Sequence, residues 1–316
     1  MDLERFCATS RVVIVAGKGG VGKTTVTAAL SVAAARAGMS VLIVEVEGKS
    51  GLAACFGRPP LEYADAELRP GVRARTLTPD DALVEYLEDH GLRRISRRLA
   101  SSGALEVVAT AVPGMKDILV LGKVKQLEKG GAADLILIDA PAAGHAVSFL
   151  LSAQGLLDAV RVGPIRKQAA DVVELLTDPA RCQVMLVTLP EETPVTELVE
   201  TAFQIEDRAG VALGPVVVNG CVSTIAGLDG AVIPTPDATG DAALDATGDT
   251  LAAAARFRLD LELRQQEQCA RLAHALPLPQ VRLPFLFTAD IGPSEIDVLA
   301  DALAAGVDTL EPVTRP

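Results

Sequence analysis

Gly17-Lys18-Gly19-Gly20-Val21-Gly22-Lys23-Thr24-Thr25 decides the fold of this chain. The β-branched run Arg11-Val12-Val13-Ile14-Val15-Ala16 leads into it, and an Ala-rich stretch from Thr24 to Ala37, stopped by Gly38, leads out of it. The order is therefore strand, glycine-rich turn, helix. Val41 to Val46 follows as a second buried strand, so the first fifty residues form one βαβ unit and imply a parallel sheet. The nonapeptide fits G-x-x-x-x-G-K-[ST] in the context that this motif needs, between a strand and a helix N-terminus. Gly17, Gly19, Gly20 and Gly22, with Val21, let backbone N–H groups turn inward around phosphates, and the helix end adds partial positive charge there. Lys23 is expected to reach the β- and γ-phosphates, the Thr24 hydroxyl to ligate magnesium, and Thr25 to touch the α-phosphate. The plainer alternative is a glycine-rich turn that only links strand to helix.

Outward from this unit the pattern stays α/β. Leu135 to Ile138, Val184 to Thr188 and Pro215 to Val218 read as apolar strands, each preceded by a segment of helical composition. Residues 60–130 read as a helical elaboration, with candidate helices at Asp80 to Gly91, Leu92 to Ser101 and Ile118 to Lys129. Residues 225–250, with Pro234-Thr235-Pro236 and a repeated Asp-Ala-Thr-Gly-Asp, read as a mobile acidic loop. A helix from Leu251 to Leu276, a strand at Val281 to Phe285 and a terminal helix from Pro293 to Ala305 complete one domain of 316 residues. The expected fold class is thus α/β, a P-loop NTPase with a mostly parallel sheet flanked by helices.

Bulk properties exclude some functions. A net charge of -12 and a pI near 4.8 oppose binding along a phosphate backbone, so nucleic acid is not an expected partner. Mean hydropathy is high at +0.34, yet no uncharged apolar run approaches the roughly 18 residues of a membrane span, and stable membrane insertion is not expected. Met1-Asp2-Leu3-Glu4-Arg5 has no basic region followed by an apolar segment, so a cytoplasmic location is expected. The five cysteines form no C-x-x-C pair, and the favoured reading is reduced, buried thiols.

Asp134-Leu135-Ile136-Leu137-Ile138-Asp139 delivers a carboxylate to the sheet edge beside the glycine-rich turn, where a magnesium-binding acid belongs. With its early Lys18, GKGGVGKTT resembles the deviant Walker A motif of the ATPase group that includes the arsenical pump-driving ATPases, the tail-anchored-protein targeting ATPases and the septum-site and partition ATPases. The D-x-P-x-x-G-H-x-x-x-F-L string from Asp139 resembles switch II of the arsenical-pump and tail-anchor branch, one residue shorter and with Ala143 at a threonine position. The resemblance implies ATP and Mg2+ as cofactors and a nucleotide-switched dimer. It makes Lys18 a charge stabiliser acting on the partner subunit's nucleotide, Asp139 a magnesium ligand, Gly144 a γ-phosphate contact and His145 a switch residue or else a core histidine. Glu47 falls where the family places a water-orienting aspartate, one methylene longer, which puts hydrolysis by the isolated chain in question. Asn219 matches an adenine-recognising asparagine, with a strand-capping role as the equal alternative. Pro284, within the Arg282 to Phe287 segment, is expected to line the base.

The implied partner is a second copy or a paralogous ATPase, since one nucleotide site in this chain leaves a composite site half built. The implied role is targeting or chaperoning of an apolar protein client. The alternatives are a non-catalytic subunit of a heterodimer and a positioning ATPase of the septum-site or partition type. The latter needs a basic membrane- or DNA-binding face, and the acidic end from Ile296 to Pro316 offers none.

Overall fold

Strand β1 (Val12–Ala16) is buried on both faces, and its side chains divide by alternation. Val12, Ile14 and Ala16 enter one hydrophobic cluster, and Val13 and Val15 enter the other. The two clusters lie on opposite faces of one sheet, which explains why its inner strands are unbroken apolar runs. The computed structural model describes residues 3–7, 9–46, 51–89, 114–141, 143–228 and 242–310.

Eight strands are found among the described residues, in the order β3-β4-β2-β5-β1-β6-β7-β8. Besides β1 they are β2 (Val41–Val46), β3 (Ala66–Arg69), β4 (Val72–Leu77), β5 (Leu135–Asp139), β6 (Cys182–Thr188), β7 (Val216–Cys221) and β8 (Gln280–Pro284). Every pairing is parallel except β3 with β4. β2 does not pair with β1. β5 inserts between them, with Val15 opposite Asp139 and Glu45 opposite Asp139 in register.

Helix α1 (Leu3–Cys7), α2 (Lys23–Arg36), α3 (Leu52–Cys55) and the last helix cover one face. α2 is buried continuously from Val26 to Ala34, because its alanines let it wedge between the sheet and that last helix. Gly38, at φ +89°, ends it, and the Gly38 N–H reaches the Ala35 carbonyl at 3.0 Å. After α4 (Pro79–Asp89), the other face carries α5 (Met115–Lys129), α6 (Ala143–Ala159), α7 (Pro164–Thr177), α8 (Glu192–Gln204) and α9 (Ala242–Ala275). The chain's last described helix is α10 (Pro293–Asp308).

Two expectations need correction. Residues 60–130 are not wholly helical, because β3 and β4 form a hairpin inside that stretch. Its cause is a Pro70-Gly71 turn, with Gly71 at φ +81°, between polar-faced alternating strands. Val72, Ala74 and Thr76 are buried on one face, while Arg73 and Arg75 lie on the other and pair with Asp65, with Arg75 stacked over the Tyr63 ring. The acidic stretch 225–250 is not loop to its end either: α9 begins at Ala242, so the second Asp-Ala-Thr-Gly-Asp repeat is helical. The candidate helix Leu92 to Ser101 lies outside the described residues. No described helix is long and apolar enough to cross a membrane.

Candidate nucleotide site

The turn after β1 is fixed by two glycines that no larger residue replaces. A Cβ on Gly17 would lie 2.4 Å from the Val187 carbonyl of β6. A Cβ on Gly22 would lie 2.3 Å from the Asn219 amide nitrogen, and Gly22 already sits at φ +91°. Gly20 is left-handed too, at φ +86°, and Gly19 meets nothing. Val21 is buried beneath the turn, and Lys23 opens α2 with no side-chain cap at its N-terminus. First-turn N–H groups without a capping side chain are donors for an anion.

Lys23 lies across this loop and donates from Nζ to the Lys18 carbonyl at 3.1 Å. Burial lowers its pKa, against the opposing pull of the Asp139 carboxylate. The Thr24 hydroxyl donates to Asp139 Oδ2 at 2.8 Å, joining the helix start to the end of β5. Asp139 is only 3% exposed. A hydroxyl and a buried carboxylate in contact are hard oxygen donors suited to Mg2+. The described residues contain no cluster of three or more metal-ligating side chains.

Other sequence candidates fall around this centre. Thr25 follows in the first turn of α2, and Gly144 lies in the first turn of α6, just after the end of β5. His145 is exposed on α6. Asn219 lies within β7, and its side-chain Nδ2 donates to the Val21 carbonyl at 3.0 Å and so ties β7 to the loop. Pro284 ends β8, in register with Cys221 at the end of β7. Glu47 lies outside the described residues. The last described acid of β2 is Glu45, buried and accepting from the Thr76 hydroxyl at 2.8 Å. Lys18 pairs with Glu197 of α8 in its own chain. Sequence reading missed Glu197, since nothing local links residues so far apart.

A strand, a glycine-rich loop and a helix, with an acid on the neighbouring strand, define the P-loop NTPase class. Residues 10–161 match the model of the anion-transporting ATPase family. ATPase BagA of Mycobacterium tuberculosis is 38% identical over 223 residues, which cover 66% of this chain and 64% of that protein. The putative arsenical pump-driving ATPase of Halobacterium salinarum is 25% identical over 66% of this chain and 35% of its own length. ATPase get3 of Schizosaccharomyces japonicus is 29% identical over 44% of this chain and 42% of its own. The chain thus spans a little under two thirds of the mycobacterial relative it matches.

Proposed function

We propose that the chain binds ATP with Mg2+, hydrolyses it, and works as a nucleotide-switched dimer with a targeting or chaperone role. The observation that carries this reading is the Thr24–Asp139 hydrogen bond, which brings the hydroxyl of the P-loop and the acid of β5 to one point. Thr24 and Asp139 would hold the magnesium, and Lys23 with the loop N–H groups would hold the phosphates. When bound, Mg2+ neutralises charge on the transferring phosphoryl group. Lys23 adds a fixed positive charge from a half-buried position, where it counts for more than in water. Lys18 would add a second charge across the dimer after leaving Glu197, so this pair marks the parked state of the trans lysine.

The test is ATP turnover by the purified chain, alone and mixed with a paralogous ATPase, beside the Lys18→Ala and Glu47→Asp variants. The expected result is turnover that Lys18→Ala abolishes, accompanied by ATP-dependent dimerisation in sedimentation. Binding without turnover, rescued only by a paralogue or by Glu47→Asp, would instead make this chain the passive half of a heterodimer. No nucleotide binding at all would overturn the reading.

A further inference from the structure

The 34 residues of α9 grip the rest of the molecule along one narrow stripe. Arg258 donates to the Ser223 carbonyl, and Glu262 accepts from the Thr224 hydroxyl. Gln265 Oε1 accepts from the Val222 N–H at 2.8 Å, and its Nε2 donates to the Gly220 carbonyl at 3.2 Å. Cys269 and Leu272 continue the stripe into the core. Upstream of them the helix is a ledge: from Ala253 to Gln268, about four turns, none of its side chains is buried. A helix draws most of its stability from packing an apolar face, so this half lacks a partner.

The side away from the stripe carries a ridge of unspent charge. At about 100° per residue, Arg256, Asp260, Arg264 and Glu267 fall within an arc of about 80°, across the helix from the gripping residues. All four are exposed. None has a hydrogen-bond or ion-pair partner among the described residues, although Asp260 and Arg264 stand at the spacing for pairing within one helix. Phe257, 70% exposed, and Leu263, 59% exposed, flank the ridge on either side. Its two arginines and two acids leave it neutral on a chain of net charge -12, so a second copy that is repelled by the rest of the surface is not repelled here.

We propose that this ridge is a self-association surface, on which α9 of one copy lies antiparallel to α9 of a second copy about a two-fold axis. The order of the charges selects the occupant. In an antiparallel pair centred beside Glu262, Asp260 of each copy faces Arg264 of the other, and Glu267 lies one residue from the position that faces Arg256. Every charge of the ridge then meets an opposite one, with Phe257 and Leu263 covered at the margins. A parallel pair would set each charge against its own kind, and a uniformly basic or acidic partner would be repelled by half of the ridge. The inference rests on the dimer reading above, for which it supplies a contact, but it needs no nucleotide, so either can fail alone.

The experiment is sedimentation of the full chain at low salt without nucleotide, where the unaltered chain is expected to dimerise. Asp260→Arg and Arg264→Asp, each at an exposed position, should each weaken that association by on the order of tenfold, because like charges then face each other. An equimolar mixture of the two variants should associate again, since the basic centre of one ridge meets the acidic centre of the other. Within each variant helix the two positions stay like-charged, so mixing repairs only a contact between copies. An unaltered chain that stays monomeric, single variants that associate as tightly as it does, or a mixture no tighter than its components would overturn the proposal. ATP binding by the same samples reads the nucleotide site separately: its absence leaves this contact standing, and loss of this contact leaves ATP binding intact.

Discussion

Two junctions support the loop after β1, and they are built from opposite materials. On one side, β5 meets the loop through charge and hydroxyl: Asp139, Lys23 and Thr24. On the other, β7 meets it through the Asn219 amide, and β7 is itself held to α9 by Gln265. The first junction binds by charge, so its residues should govern chemistry. The second binds by neutral hydrogen bonds and packing, so its residues should govern stability.

Substitutions can break that division. Asp139→Asn keeps the shape and removes the charge, and should lower ATP turnover by on the order of a hundredfold. Its thermal midpoint should barely move; a large loss of stability would mean that the acid is structural. Gln265→Leu deprives the Gly220 carbonyl and Val222 N–H of partners, and should cost about 1–2 kcal/mol in denaturant unfolding. Turnover by that variant should stay within roughly a fewfold, because catalysis draws on the other junction. A collapse matching that of Asp139→Asn would show the two junctions to be one unit. The smallest effect belongs to Glu197→Ala. Its pairing with Lys18 is partly exposed, so stability should change by under about 1 kcal/mol. Release of Lys18 should tighten ATP-dependent self-association by up to about fivefold, measured by sedimentation at low salt. Weaker association would remove the parked-lysine reading.

The same contrast explains what could be read from sequence. Val12–Ala16 and Leu135–Asp139 are legible because strands buried on both faces are plain apolar runs, and the loop is legible because its contacts lie within nine residues. Asp139 follows from Leu135–Ile138 directly. The hairpin was hidden by arginines on its outer face, although the Pro70-Gly71 turn and the alternation from Val72 to Thr76 carry the signal. The start of α9 was hidden because Gly248 and its Asp and Thr neighbours disfavour a helix on local propensity, while the helix runs on from a strongly helical stretch. Lys18 with Glu197 and Gln265 with the end of β7 were invisible for another reason. Each pair is made by strand order, and no local spacing reports it.

That strand order also bears on synthesis. β1 emerges early, but both of its neighbours, β5 and β6, lie far downstream, and β2 must wait for β5 as well. The Val187 carbonyl that packs against Gly17 arrives with β6, and the Asn219 amide that packs against Gly22 arrives later still, with β7. A growing chain therefore carries its phosphate-binding sequence long before it has the walls that shape it. The proposed nucleotide site is therefore complete only once β7 has left the ribosome.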